Sequence, residues 1–423
     1  MKTFIRMRTP RKVVIIGASF AGLGVARALE PRAEDEDVEV ILIDSRPYHQ
    51  FHGLLYEVAT GIVEGAAEDC EKILTSGACI NLNAYDRLLR GKHLTFRCDT
   101  VTAIDRAAKR VRLQRGGEFA YDTLVLALGS EVATFGIPGL KEHAIPLKST
   151  PDALRIRRQV LDLVERAKVG SQVSIVVGGG GATGVEFTAE LGCALQKLAT
   201  RHEIPSGSFR ITLVEAASRL LLPFPPSVSR VALQRIHRFG AHVLLDTCMQ
   251  RVAIGRVVVA PRPLQPGESR EQLLCGFSGT EQVIDADLVV WTGGIGFPAL
   301  PKDSGFSCDA KGRVVVGDDF RVAGETSVFA LGDCAAFIDP KTKKPLPALA
   351  SVAVREAPVA AANILAAFDE LPLTQFRPRE IPAIIPLGGK YAGLAYRGWS
   401  WAGRLPWALH TFITLQYFCS VIG

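Results

Sequence analysis

The sequence predicts an α/β protein in which one β–turn–α–β unit occurs twice, the second copy nested inside the first, with a short helical region appended. Three observations carry that prediction. The runs Val13-Val14-Ile15-Ile16 and Ile175-Val176-Val177 each stop at a glycine-rich turn. Each turn leads into a helical stretch and then a second apolar strand that closes on a carboxylate, Asp44 in one copy and Glu215 in the other. Each copy then passes through short antiparallel segments to a further apolar strand ending in small residues. Strands that are apolar throughout belong to parallel sheets covered on both faces. Composition agrees. The 423 residues suffice for two or three domains, and 48 % apolar and 22 % charged residues with 40 glycines exclude a disordered, collagen-like or disulfide-scaffold chain.

In the first copy the opening strand meets Gly17-Ala18-Ser19-Phe20-Ala21-Gly22, a helix runs to about Leu29, and the strand Val38–Ile43 ends at Asp44 and Ser45. Leu94–Arg97, Val101–Asp105 and Arg110–Leu113 read as an antiparallel insert, followed by the strand Tyr121–Leu126 and the small-residue turn Ala127-Leu128-Gly129. The second copy repeats the layout. Gly178 to Gly184 opens a helix through Glu190 and Leu191, and the strand Ile211–Val214 closes on Glu215. Arg256–Val259 and Glu281–Ile284 then precede Ala286–Thr292 and the pair Gly293-Gly294. Near residue 330 the first copy resumes as Val328–Leu331 running into Gly332-Asp333, followed by a helix over Ala350–Phe368 and a Pro-rich linker over Leu371–Pro386. The chain is an internal duplication with one copy inserted in the other.

Glycine spacing of this kind has a chemical reason. The first glycine allows a tight turn, the second lets backbone N–H groups approach a pyrophosphate, and the third lets helix and strand pack closely. The helix N-terminus favours the phosphate charge, and the carboxylate closing the second strand accepts from ribose hydroxyls. One such motif is weak; two, each in full strand–turn–helix–strand context, indicate paired Rossmann-like dinucleotide-binding folds. In the first motif Ser19 stands where the middle glycine is usual, so the turn either tolerates a small side chain or uses its hydroxyl on the pyrophosphate. Glu215 would repel a 2′-phosphate and accept from a free 2′-OH, which favours NAD(H) over NADP(H).

The nine cysteines are scattered, with no C-x-x-C, so a zinc ribbon, an iron–sulfur cluster and a vicinal redox disulfide are not expected, and no metal site is. Reduced, half-buried thiols are. The basic start, MKTFIRMRTPRK, lacks the apolar stretch of a secretory signal. The net charge of +6 comes without basic runs interleaved with aromatics, so nucleic acid is not an expected partner.

Two nested dinucleotide folds with Gly332-Asp333 near the end resemble the two-dinucleotide-binding flavoprotein reductases, of the pyridine nucleotide-disulfide oxidoreductase type, over about residues 12–365. The stretch from His49 to Gly61, the stretch Gly181-Ala182-Thr183-Gly184-Val185-Glu186 and the aromatic C-terminus are similar to the type II NADH dehydrogenases, single-chain NADH:quinone oxidoreductases. The resemblance implies FAD on the first copy, held by the Gly17–Gly22 motif, Asp44 with Ser45, Val101, Ala127, Gly129 and Asp333. It implies NADH on the second, held by Gly179, Gly181, Gly184, Glu215, Gly293 and Gly294. Glu186 matches the family acid beside nicotinamide and flavin. The implied division is residues 1–148 and 301–370 for the FAD domain, 149–300 for the inserted NAD(H) domain and 371–423 for a C-terminal region. Two departures bear on the acceptor: His52-Gly53 replaces a Gln-Pro pair, and Ala350-Ser351-Val352-Ala353-Val354-Arg355 lacks both glutamines of the family's quinone-side helix, leaving Ala350, Ser351 and Arg355 there.

The expected activity is hydride transfer from NADH to FAD and electron transfer on to a membrane quinone, without proton pumping. Glu186, His49 or His52 would supply protons. Three alternatives stand beside it: a sulfide:quinone oxidoreductase, which needs cysteines bracketing the flavin, another FAD/NAD(P)H reductase with a non-quinone acceptor, and a non-catalytic FAD-binding redox sensor, which should have lost the NADH motifs. Mean hydropathy is high at +0.20. Its localised source is the stretch from Trp399 to Ile422, flanked by Arg397 and Arg404, where Pro406 and His410 interrupt a spanning helix. This reads as an interfacial helix on an anionic membrane surface, placing the protein peripherally on the cytoplasmic face of the cell membrane. The same helix could instead pack in the core or form a homodimer.

Overall fold

The computed structural model describes residues 10–35, 37–61, 83–90, 92–263 and 280–422. The principal elements run, in chain order, β1 (Arg11–Ile16), α1 (Phe20–Glu34), β2 (Val38–Asp44), α2 (Leu55–Thr60), β3 (Leu94–Cys98), β4 (Thr123–Leu126), β5 (Ile145–Pro146), β6 (Val173–Gly178), α3 (Ala182–Arg201), β7 (Phe209–Val214), β8 (His242–Leu244), β9 (Leu288–Trp291), β10 (Val328–Ala330), α4 (Ala350–Phe368), β11 (Ala383–Pro386), β12 (Ala392–Tyr396), β13 (Trp399–Gly403) and α5 (Arg404–Ile422). Among the described residues, one compact unit takes 10–50, 83–131 and 295–379, and the other takes 51–61, 132–294 and 380–422.

In the first unit five parallel strands lie in the order β10-β4-β1-β2-β3. The register sets Val13 beside Val40 and Thr123, which aligns the C-terminal ends of the three central strands. Val13, Val14 and Ile15 are wholly buried, as uniformly apolar central strands must be. Helix α1 packs on α4. Gly24 permits that approach, since a Cβ there would stand 2.7 Å from the Ala357 Cβ. The second unit repeats the plan, with strand order β5-β9-β6-β7-β8, all parallel. A three-stranded antiparallel sheet follows each unit's first strands, over Val101–Asp105, Arg110–Leu113 and Glu118–Ala120 in one, and Thr247–Ala253, Arg256–Pro261 and Gln282–Asp285 in the other.

Five expectations need correction. Leu94–Arg97, placed with the antiparallel insert, instead extends the parallel sheet as β3; its alternating burial is that of an edge strand. Helix α1 continues past Leu29 to Glu34 despite Pro31 inside it, with Leu29 and Ala33 keeping the same face buried. The Pro-rich linker contains a strand, β11, and Trp399–Gly403 is a strand rather than the start of a helix. The C-terminal region is therefore a three-stranded antiparallel sheet, β11-β12-β13, followed by α5, and not helical throughout. Strands β12 and β13 join through the Arg397-Gly398 turn, whose φ values of +47° and +81° match the type I′ geometry that suits hairpins. Pro406 does not interrupt α5. It lies in the first turn, where a missing N–H costs no helical hydrogen bond.

Candidate functional site

In the first unit the glycine motif forms a cradle at the C-terminal end of β1. Gly17 has φ +98°, and a Cβ there would overlap the Ala127 carbonyl; one on Gly22 would overlap the Gly17 carbonyl. Gly17 N–H donates to Ile43 O (2.8 Å) and Ala127 N–H to Ile16 O (2.8 Å), tying the turn to both neighbouring strands. Asp44, buried, accepts from Ala18 N–H at 2.8 Å and from Arg46 N–H at 2.9 Å, with Ser45 exposed between them. Phe20 and Ala21 are buried in the first turn of α1. Ser19 is the N-cap of α1, yet its side chain makes no capping bond, and its Oγ is buried without a partner among the described residues. A buried hydroxyl without a partner is costly. Beside an uncapped helix N-terminus it has the chemistry of an anion contact.

The Gly332-Asp333 turn joins the same cradle. A Cβ on Gly332 would stand 3.2 Å from the Ala21 Cβ and 3.8 Å from that of Ala353, so the turn sits where α1 and α4 begin. Asp333 accepts from Ser130 Oγ at 2.7 Å, just past Gly129, whose φ is +68°. Sequence reading missed Glu356. It is buried in α4, accepts from Gly332 N–H at 2.7 Å, and burial raises its carboxyl to about 7. A single acid within an alanine-rich helix was the signal available. Ala350 is half-buried, whereas Ser351 and Arg355 lie exposed, one turn apart on α4. Val101 is buried at the start of its strand, near Asp99, whose N–H donates to Asp44 O at 2.9 Å.

The second cradle reproduces the first bond for bond. Gly179 has φ +104°; a Cβ on it would stand 2.6 Å from the Gly293 Cα, and one on Gly184 would overlap the Gly179 carbonyl. Gly179 N–H donates to Val214 O (2.8 Å) and Thr292 N–H to Gly178 O (2.7 Å). Thr292 Oγ1 adds bonds to Gly178 O (2.8 Å) and Gly179 O (2.9 Å), a brace that sequence reading passed over. Glu215 accepts from Gly180 N–H through a very short bond and from Ala217 N–H at 2.6 Å, as Asp44 does from Ala18 and Arg46. Gly181 caps α3 without a side chain, and a Cβ there would meet nothing within 4 Å. Gly294, with φ +100°, continues the rim from Gly293.

Glu186 lies half-buried in the second turn of α3, against which α2 packs. Burial, reinforced by the Glu57 carboxylate, holds its carboxyl well above the usual range and favours the proton-holding form. Glu57 is itself raised by burial and accepts from Tyr56 Oη at 3.1 Å. His49 is fully buried against the Phe20 ring and lowered by burial to about 4, so it stands as a neutral ring and not as a proton source at neutral pH. His52 lies in the short 3₁₀ turn before α2. Cys334 is wholly buried and pushed up to about 12 by burial, and burial also raises Cys308, so neither is an activated thiolate. Cys193 is buried in α3, while Cys70, Cys79 and Cys275 lie outside the described residues. Among the described residues no His, Cys, Asp and Glu group forms a metal site.

The model of the family described as pyridine nucleotide-disulphide oxidoreductase matches residues 11–357. The type II NADH:quinone oxidoreductase of Staphylococcus saprophyticus is 28 % identical over 383 residues, covering 89 % of this chain and 88 % of that protein. Among solved structures, NDH2 from Plasmodium falciparum in complex with NADH superposes with a TM-score of 0.79 at 17 % identity, covering 97 % of this chain and 95 % of that one. The sulfide:quinone oxidoreductase of Aquifex aeolicus superposes with a TM-score of 0.77 at 18 % identity, covering 97 % and 91 %.

Proposed function

The chain belongs to the pyridine nucleotide-disulphide oxidoreductase family, and within it we propose an FAD-dependent NADH:quinone oxidoreductase. The observation that carries this reading is the pair of cradles, matched hydrogen bond for hydrogen bond, in one chain. Two complete dinucleotide sites suit an enzyme that holds one nucleotide while another arrives and leaves. The relatives' name supplies the acceptor class.

Bound FAD supplies hydride acceptance and onward two-electron transfer. This chain's residues bind and orient. The turn Gly17–Gly22, with Ser19 Oγ and the α1 N-terminus, holds the FAD pyrophosphate, and Asp44 with Ser45 holds the adenosine ribose. Val101 lies by the adenine, Ala127 and Gly129 close the FAD cradle beside Gly17, and Asp333 binds the ribityl end. Gly179, Gly181 and Gly184 take the NADH pyrophosphate, Gly293 and Gly294 flank the nucleotide, and Glu215 accepts from its 2′-OH. Ala217 stands where the first copy has Arg46, and Arg219 in the same loop is committed to Leu221 O, Phe224 O and Ser229 Oγ, so Glu215 selects against a 2′-phosphate. Glu186 holds the proton that quinone reduction consumes. Ser351 and Arg355 stand on the acceptor side in place of the family's glutamines. The domain division follows: FAD on 1–148 and 301–370, NADH on 149–300, and residues 371–423 as the membrane foot.

That foot rests on exposed apolar side chains. Trp399 is 82 % exposed, Trp401 60 %, Leu405 64 % and Phe412 63 %, with Arg397 and Arg404 exposed beside them. Aromatics flanked by cations suit a peripheral site on an anionic cytoplasmic leaflet. Among the described residues, α4 alone is long and apolar enough to cross a membrane, and it packs against α1.

Anaerobic mixing with NADH should bleach the flavin absorbance, and a short-chain quinone should restore it. A flavin bleached by sulfide and not by NADH would overturn the reading in favour of sulfide oxidation. Bleaching by NADH that quinone cannot reverse would overturn the acceptor. W399S/W401S should lower co-sedimentation with anionic vesicles without changing bleaching; unchanged sedimentation would sink the foot. Deleting 399–423 makes the same test more severe.

A further inference from the structure

The loop after the first unit's small-residue turn carries an aromatic ring that no role yet explains. Thr134-Phe135-Gly136-Ile137 closes on an Ile137 N–H to Thr134 O bond of 3.0 Å, and both central residues have positive φ, +50° at Phe135 and +70° at Gly136. That is the type I′ pattern, which prefers Asn, Asp or Gly at its first central position. A phenylalanine there sits in a backbone conformation that disfavours its side chain, and the residue is 71 % exposed. Burial does not explain why it is held.

Its inner edge is fixed. A Cβ on Gly294 would stand 2.5 Å from Phe135 Cζ and 2.7 Å from Cε2, so the ring rests on a bare glycine. It meets the Trp291 ring edge-on at 6.4 Å and 76°. Trp291 in turn lies under Gly178 and Gly293, where an added Cβ would stand 2.5 Å from its ring, and its Nε1 donates to Ala133 O at 2.8 Å. One continuous rim thus joins Phe135 to the second glycine cradle.

The sheet order fixes which part of a ligand reaches that rim. With strands in the order β9-β6-β7, the glycine turn after β6 is central, Glu215 ends β7 on one side, and Trp291–Gly294 ends β9 on the other. A dinucleotide with its adenosine ribose on Glu215 and its pyrophosphate on the turn extends its other half over the end of β9. We propose that Phe135 is the wall of the NADH site that stacks on the nicotinamide riboside half. The inference rests on the functional reading above and adds a binding residue to it.

The test uses the FAD-loaded enzyme and the variants Phe135→Asn, Phe135→Ala and Phe135→Tyr. Anaerobic stopped-flow bleaching gives NADH affinity, and competition by ADP, which lacks the whole nicotinamide riboside, reports the adenosine half alone. F135A and F135N should weaken NADH by about three- to tenfold, the range of one aromatic stacking contact. F135Y should retain wild-type affinity, and ADP inhibition should not change in any variant. Because Asn suits the turn, F135N should also raise the melting temperature, which a merely structural phenylalanine would not allow. Unchanged NADH affinity in F135A, or an equal loss for ADP, overturns the inference while leaving the functional reading standing. A wild-type flavin that NADH fails to bleach overturns the functional reading and this inference with it.

Discussion

The two glycine cradles share their backbone geometry and differ in what surrounds it. Gly17 and Gly179 have φ values of +98° and +104°, and Gly22 and Gly184 approach the preceding carbonyls in the same way. In the first copy a side-chain hydroxyl, Ser19, stands at the middle position, and an acid-bearing turn braced by Ser130 and Glu356 closes on the helix start. In the second copy the middle position is Gly181, open to a distance of 4 Å, and the strand flanking β9 leads through Leu147-Lys148-Ser149 into the next helix instead of a Gly-Asp turn. The difference separates holding from exchange. Extra polar groups suit a cofactor that stays, and a bare backbone rim suits a substrate that must leave each cycle.

The largest effect that could break this comparison comes from the shared glycines. Valine at Gly22 drives a side chain into the Gly17 carbonyl, and valine at Gly184 does the same to Gly179. Displacing backbone in a packed turn costs about 3 kcal/mol or more, over about a hundredfold in affinity. G22V should therefore emerge from gel filtration without flavin absorbance. G184V should keep its flavin and lose bleaching by NADH. Exchanged phenotypes would mean that the copies are assigned the wrong way round.

Next in size is a pH effect from one acid of the first copy. Glu356 is raised to about 7 from an ordinary 4.5, so the folded chain binds its proton more tightly than the unfolded chain. Stability from this group is complete below about pH 4.5, declines as pH rises towards 7, and is flat above, a loss of about 3 kcal/mol in all. Glu356→Gln keeps an acceptor for Gly332 N–H and removes the titration. Melting temperatures of the FAD-loaded pair should diverge between pH 5 and 7.5, with the wild type falling behind. Parallel curves would show that the acid does not titrate there.

Nucleotide choice sharpens the contrast further. Replacing Glu215 by Ala and Ala217 by Arg would give the second copy a cation where the first has Arg46. The ratio of kcat/KM for NADH over NADPH should fall by about thirtyfold, some 2 kcal/mol of altered charge contact. An unchanged ratio would mean that Glu215 only braces Gly180.

Much of this was legible in the sequence because glycine spacing and apolar strands report backbone demands directly. Gly17, Gly22, Gly179 and Gly184 could be read as close approaches before any geometry was seen. The groups that escaped reading act over long sequence separations. Glu356 matters through Gly332, Thr292 through Gly178, and Phe135 through Gly294, and local pattern carries no trace of those pairings. The C-terminal sheet was hidden for another reason: apolar composition suggested a helix, while its two-residue turn, Arg397-Gly398, is an uncommon pair for a type I′ hairpin.

The smallest expected effect falls on the residue where the two copies depart most visibly. Ser19 Oγ is buried and lacks a partner among the described residues, and its cost is recovered if a ligand atom accepts from it. Removing it by Ser19→Ala should then weaken FAD by about 1 kcal/mol, roughly fivefold, measured as the rate at which flavin dissociates in dilute solution. The converse change, Gly181→Ser, introduces a hydroxyl where there is room for it, and should leave flavin content and folding unaltered while tightening or leaving unchanged the binding of NADH. If S19A retains flavin as well as the wild type, the hydroxyl is a tolerated substitution in the turn. The permanence of the first site would then rest on Asp44, Asp333 and the helix N-terminus alone.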